Sequence, residues 1–180
     1  MVDVIVVFEV VGARGPCPHE CHCCSDTCPV FTEFAGSGFR FSTMADKAVA
    51  RECEGTPADT LARFAGRVDA STHPPGPVDS WLGETLVHAE DIRRPLGIAH
   101  AYPVDAITRV ADFYLKSNLL IGGKKRVAGL TLRATDTDWV RGAGPEVVGP
   151  ALSLLLAIAG RPAGLDDLTG EGAVMVKSRM

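Results

Sequence analysis

The sequence predicts an α+β protein in which a helical unit precedes a smaller unit of strands and helices. In residues 44–121 the apolar positions recur every three or four residues, which is typical of helices that bury one face. From residue 126 onward, alternating apolar residues, glycine-rich turns and one short apolar helix take over. With 46% hydrophobic residues in a chain of 180, a core of ordinary size is expected.

Two short helices open the helical unit. The first is predicted over Met44–Glu54, and the second begins at Thr56. Thr56 is the expected N-cap, Pro57 suits the first turn, and Asp59 completes a variant of the capping box. An apolar stripe follows on the second helix, formed by Leu61, Phe64, Ala65 and Val68.

The next helix carries the ionisable residues around which the chain is organised. No glycine or proline interrupts residues 84–94, and Pro95 marks the end of the helix. Glu84 and His88 lie one turn apart on one face, and Asp91 falls one turn further along. Most of the remaining circumference is apolar, so we expect this polar stripe to face the interior.

The residues alone leave two interpretations of the Glu84–His88 pair open. A Glu and a His at i, i+4 can both reach one cation, as the two histidines of an H-E-x-x-H helix do. The same spacing also suits a plain Glu–His hydrogen bond, which is a common helix contact. Buried carboxylates and imidazoles are costly unless they are paired or bound to a metal. Both interpretations therefore give these side chains a partner.

The remaining elements follow in order. A helix begins at Pro103, and strands are predicted over Leu130–Thr135 and Glu146–Val148. Pro150 opens a helix of about ten apolar residues, and a last strand is predicted over Ala173–Lys177. Residues 126–180 would thus form a small β-β-α-β unit. The apolar face of the helix at Pro103 consists of Val104, Ile107, Val110, Ala111 and Tyr114.

Composition disfavours two classes of protein. The net charge is −4 and the isoelectric point about 5.7, and no concentrated basic patch exists that would grip a nucleic acid. The short basic run Lys124–Arg126 is expected to cap a helix end or a turn. No apolar run approaches about 20 residues, so no membrane span is expected. Since the apolar start lacks a basic leader region, the default location is cytoplasmic.

Five of the six cysteines lie within Cys17–Cys28, interleaved with His19 and His22. A zinc or copper site is chemically possible there, although two separated C-x-x-C pairs are lacking. A disulfide scaffold is disfavoured, because the rest of the chain is typical of a cytosolic protein. The preferred interpretation is that residues 1–43 are not a native part of this fold, because local and global signals disagree only there. The sixth, Cys53, is expected to be a small helix residue.

Three motifs carry a family resemblance. The segments Gly83–Gly97, Ala134–Trp139 and Ala159–Arg161 resemble the mycothiol-dependent maleylpyruvate isomerase family of actinobacteria, which is related to DinB-like four-helix bundles. The resemblance runs from about residue 38 to the C-terminus. It implies a partial DinB-like bundle over residues 44–121, which is followed by the small α+β domain.

The resemblance also implies a divalent metal, typically zinc, held by three side chains. Two of them correspond to Glu84 and His88, and the third is a histidine on an upstream helix. Residues 1–43 contain no match to that helix, so the third ligand has no assigned residue. Asp91 is expected to orient His88 or to pair with Arg94. Arg161 resembles a family arginine that would bind a substrate carboxylate, although it could instead balance a helix dipole.

The function implied by the resemblance depends on mycothiol, a low-molecular-weight thiol. Its thiolate would add to an activated double bond, allow rotation and leave, which is a cis–trans isomerisation. The same thiolate could transfer to a small electrophile, which is an S-transferase reaction. A non-catalytic metal-binding helical domain and a truncated inactive family member are the alternatives. Because a partner subunit could replace a missing helix, a homodimer is also expected.

Overall fold

The computed structural model describes most of the chain after its first forty residues. The described residues are 41–66, 68, 77–116 and 121–180. They belong to two compact units, which divide between Gly76 and Pro77. The cysteine-rich run Cys17–Cys28 lies outside the described residues, as do His19 and His22, so the interpretations of that run stay predictions.

The described part of the first unit is a pair of helices, α1 (Phe41–Glu52) and α2 (Pro57–Ala65). The predicted capping box is confirmed, because the Thr56 hydroxyl accepts the Asp59 N–H at 3.2 Å and the Asp59 carboxylate accepts the Thr56 N–H at 2.8 Å. The turn between the helices is closed by Arg63, which donates to the Glu52 carbonyl. None of the residues of α2 is buried, so its apolar stripe faces outward.

The second unit begins with helices α3 (Val78–Arg93), α4 (Val104–Tyr114) and the four-residue α5 (Gly123–Arg126). Helix α3 ends one residue before Arg94, close to the predicted stop at Pro95. It packs against α4, whose predicted apolar face is largely confirmed. The buried residues of that face are Ile107, Val110, Ala111 and Tyr114.

A three-stranded sheet follows, built from β1 (Thr131–Ala134), β2 (Val140–Gly142) and β3 (Glu146–Gly149). The strand order is β2-β1-β3, with β1 antiparallel to β2 and parallel to β3. Leu132 and Val147 are register partners and both are buried. The predicted strands correspond to β1 and β3, whereas β2 was not predicted, because three residues are too few to show an alternation.

Helix α6 (Ala151–Ile158) is the centre of the hydrophobic core, and seven of its eight residues are buried. Both of its ends are satisfied by side chains. The Asp136 carboxylate accepts the Ala151 N–H at 2.9 Å, and Arg126 donates to the Ile158 carbonyl. The expectation that the basic run caps a helix end is thus confirmed for Arg126. None of the helices in the described ranges is long and apolar enough to span a membrane.

The predicted last strand, Ala173–Lys177, is wrong. After α6 a 3₁₀ helix covers Pro162–Asp167, and the chain then forms helix α7 (Glu171–Ser178). The buried residues of α7, Gly172 and Val176, are one helical turn apart, which is the period of a helix rather than of a strand. Residues 126–180 therefore form the order β-β-β-α-3₁₀-α and not the predicted β-β-α-β. Mixed helix and sheet in these ranges agrees with the predicted α+β class.

Arg94 links the end of α3 to the C-terminal half of the second unit through hydrogen bonds. Its guanidinium donates to Glu90 at 3.2 Å, to Asp167 at 2.8 Å and to the Ser153 hydroxyl at 3.0 Å. Glu90 and Ser153 are buried, and Glu90 also accepts a hydrogen bond from the Tyr102 hydroxyl at 2.9 Å. These contacts satisfy a carboxylate that would otherwise be buried alone.

A second polar contact joins α4 to the sheet. Asp112 accepts hydrogen bonds from the Trp139 indole at 3.1 Å and from Arg141 at 2.7 Å. Burial of Asp112 acts to raise its pKa, but the hydrogen bonds from Arg141 and Trp139 outweigh burial and leave the pKa lowered. The contact therefore favours the ionised carboxylate at neutral pH.

Replacement of Arg94 by Met should lower the free energy of unfolding by about 3 kcal/mol, because Glu90 stays buried without its cation. Urea unfolding followed by the fluorescence of Trp81 and Trp139 measures the change. Arg109→Met is the matched control, because the Arg109–Asp79 ion pair involves a guanidinium side chain that is 59% exposed. Its loss should cost less than about 1 kcal/mol. Equal losses in the two variants would contradict the role given to Arg94.

Candidate functional site

Helix α3 brings together the three ionisable residues that its sequence predicts on one face. His88 is buried, with 4% of its surface exposed, while Glu84 and Asp91 are half-buried. The helix places the three side chains in a row because they are four and three residues apart. The expectation of an inward-facing polar stripe is therefore confirmed for His88.

Both ring nitrogens of His88 face a carboxylate. Nε2 lies 2.9 Å from Glu84 Oε2, and Nδ1 lies 3.0 Å from Asp91 Oδ2. A neutral imidazole has only one N–H and can donate to only one of these oxygens. The imidazolium form has two and satisfies both contacts. The geometry therefore favours a protonated His88 in the metal-free protein.

Arg161 contacts the Asp91 end of this row. It follows α6, and its Nε donates to Asp91 at 3.0 Å. The two residues are 70 positions apart in the chain. Of the two predicted partners of Asp91, the structure shows a contact with His88, while Arg94 contacts Glu90 and Asp167. The role of Asp91 in orienting a metal-binding histidine stays a prediction. Glu84, His88, Asp91 and Arg161 are called the charge network below.

The charge network is electrically balanced. With His88 protonated, it holds two carboxylates and two cations. The hydrogen bond to Glu84 raises the pKa of His88 above its usual value of 6.5, burial opposes the rise, and Asp91 adds to it. The partners therefore outweigh the loss of hydration, and His88 keeps its charge to a higher pH than an isolated histidine.

Tyr114 is a polar group at this site that the sequence pattern assigned only to the apolar face of α4. Its hydroxyl is buried and has no hydrogen-bond partner among the described residues. Burial is the main reason that the pKa of Tyr114 is raised, and the Glu84 carboxylate adds to the rise while Arg161 opposes it. Glu84 and Arg161, two members of the charge network, therefore act electrostatically on this hydroxyl.

The Glu84–His88 pair fits two positions of a zinc site. A tetrahedral zinc ion holds a nitrogen and an oxygen ligand about 3.3 Å apart. Nε2 of His88 and Oε2 of Glu84 are already 2.9 Å apart and face each other. The other nitrogen of His88 contacts Asp91, which is the usual arrangement behind a metal-binding histidine. If the two side chains moved slightly apart, an ion could bind to both of them.

The described residues do not supply the rest of a metal site. They include no group of three or more His, Cys, Asp or Glu side chains placed to hold an ion. Catalytic zinc sites commonly use three protein ligands. The third donor that the family resemblance implies therefore stays a prediction without an assigned residue.

Comparison of the sequence with protein-family models, with curated proteins and with solved structures gives no match. The resemblance to the mycothiol-dependent maleylpyruvate isomerase family thus stays a prediction that rests on the motifs of the sequence.

In metal-free protein, NMR should place the pKa of His88 above 6.5, and Glu84→Gln should lower it, because the largest stabilising hydrogen bond to the imidazolium is weakened. Asp105→Asn changes an exposed carboxylate of α4 and serves as the control. Since the folded-state pKa lies above the unfolded one, the stability contribution of His88 is complete below about pH 6.5 and is lost as pH rises through the folded-state pKa. A pKa unchanged by Glu84→Gln would contradict this pairing.

Proposed function

We propose that the chain is a metal-assisted, thiol-dependent isomerase or S-transferase of the maleylpyruvate isomerase type, with a partial DinB-like bundle around its metal site. In this proposal Glu84 and His88 are two of the metal ligands, zinc is the preferred ion and mycothiol is the thiol. The observation that carries the proposal is the orientation of His88, whose Nε2 faces Glu84 while Asp91 holds the opposite nitrogen.

The charge network supports this proposal through the state of His88. With Nδ1–H donated to Asp91, loss of the second proton leaves the lone pair of Nε2 directed toward Glu84. Arg161 fixes Asp91 at 3.0 Å and so keeps the ring from turning. A metal ion and a proton would therefore compete for the same position between the two side chains.

A divalent metal bound there would lower the pKa of a coordinated thiol, so that the thiolate forms at neutral pH. The residues of the chain have simpler tasks in this proposal. Glu84 supplies negative charge, His88 supplies a neutral nitrogen, and Asp91 holds the proton at Nδ1. Arg161 holds Asp91 in place through the hydrogen bond from its Nε. The electrophilic substrate is a small molecule, and the location is cytoplasmic.

The charge balance of the network favours a second candidate, a non-catalytic helical domain. Two carboxylates and two cations that satisfy one another need no metal. In that case Asp91 and Arg161 serve only to join α3 to the segment after α6. The two candidates differ in whether an ion can displace the proton of His88.

Metal binding separates the candidates. Titration of metal-free protein with zinc, followed by calorimetry and by elemental analysis, should give one bound ion per chain. Glu84→Gln and His88→Ala should each weaken binding by about tenfold or more, because each removes one of few ligands. His100→Ala is the matched control, because His100 is an exposed histidine that contacts Tyr102 edge to face and lies outside the charge network.

Equal zinc affinity in the wild-type, Glu84→Gln and His88→Ala proteins would contradict the proposed ligands. The absence of zinc binding, together with a cooperative unfolding transition, would favour the non-catalytic domain. For activity, conversion of a cis-configured electrophile should require both zinc and mycothiol. It should fall in the two ligand variants but not in His100→Ala.

A further inference from the structure

The two tyrosines of the chain, Tyr102 and Tyr114, differ in the hydrogen bonding of their hydroxyls. The hydroxyl of Tyr102 donates to Glu90 at 2.9 Å and accepts a hydrogen bond from Arg93. The hydroxyl of Tyr114 is buried and has no partner among the described residues, although only 3% of this residue is exposed. A buried hydroxyl without a partner lowers stability, and a phenylalanine at position 114 would pack equally well.

The backbone of α3 makes room for the hydroxyl of Tyr114. A Cβ atom placed on Gly83 would lie only 2.2 Å from this oxygen and 2.7 Å from the ring carbon that bears it. Any other residue at position 83 would therefore push Tyr114 away. Because Gly83 directly precedes Glu84, the missing side chain lets the polar end of the tyrosine reach the part of α3 that carries the charge network.

The electrostatic surroundings of the hydroxyl point in the same direction. Glu84 and Arg161 both act on the phenol of Tyr114, with opposite signs. The hydroxyl therefore lies within electrostatic range of both ends of the charge network, and it has no acceptor among the described residues. A phenol near neutral pH carries its proton and can donate it in a hydrogen bond.

We propose that the Tyr114 hydroxyl is a further ligand-binding group of this site and donates a hydrogen bond to an anionic atom of the bound ligand. The inference rests on the proposed function. A divalent cation bound by Glu84 and His88 would add positive charge beside Tyr114, and positive charge attracts an anion. The anionic atom is either the sulfur of a thiolate or an oxygen of a substrate carboxylate.

The first part of the test uses metal-free protein and needs no ligand. Tyr114→Phe removes a hydroxyl that has no acceptor among the described residues, so its urea midpoint should stay equal to that of the wild type or rise. Tyr102→Phe is the matched control, and its midpoint should fall, because the buried Glu90 loses a hydrogen bond. If the urea midpoint of Tyr114→Phe fell as far as that of Tyr102→Phe, the hydroxyl would already have a partner. That result would overturn the inference and leave the proposed function standing.

The second part uses zinc-loaded protein, titrated calorimetrically with mycothiol and, separately, with acetate. Tyr114→Phe should keep the zinc affinity of the wild type but bind at least one of the two probes about tenfold more weakly. Weaker binding of mycothiol alone identifies the thiolate as the acceptor, and weaker binding of acetate alone identifies a carboxylate. Tyr102→Phe should bind both probes as the wild type does.

Two results of the second part would overturn the inference. Only one of them would also overturn the proposed function. If the wild type binds zinc and a probe, and Tyr114→Phe binds both equally well, the inference fails while the proposed function stands. If the wild-type protein takes up no zinc, or if zinc-loaded protein binds neither probe, the proposed function fails and the inference fails with it.

Discussion

The candidate site depends on the carboxylate of Asp91. It accepts hydrogen bonds from His88, on its own helix, and from Arg161, which follows α6. One residue thereby sets the orientation of an imidazole and links two segments that are distant in sequence. Without Asp91, the buried His88 would have only one acceptor for two ring nitrogens, and Arg161 would have no carboxylate partner among the described residues.

The parts of the fold that follow from local rules were predictable. The capping box at Thr56 and the stop at Pro95 depend on residues within one or two turns. The strand β2 and the helix α7 were not predicted correctly, because a run of three to five residues does not separate a period of 2 from one of 3.6. In Ala173–Lys177, apolar residues at neighbouring positions favour a strand, and only the burial of Val176 with Gly172 shows the helix.

The candidate site also has features that the sequence predicts and features that it does not. Glu84 and His88 could be paired from the sequence, because a spacing of four residues fixes their relative positions on a helix. The sequence offered Arg94 as a partner of Asp91, yet tertiary packing gives Asp91 to Arg161 and Arg94 to Glu90. The polar end of Tyr114 was not predictable, because an aromatic residue on an apolar helix face looks the same whether or not its hydroxyl has a partner.

Helix α6 has a consequence for the dynamics of the second unit. Its side chains are buried nearly all round, and Asp136 and Arg126 hold its two ends. Its amide hydrogens can therefore reach solvent only when the surrounding core opens, so their exchange rates report global unfolding. Helix α2, in which no residue is buried, needs no such event and exchanges by local fraying. We therefore expect slower amide exchange in α6 than in α2.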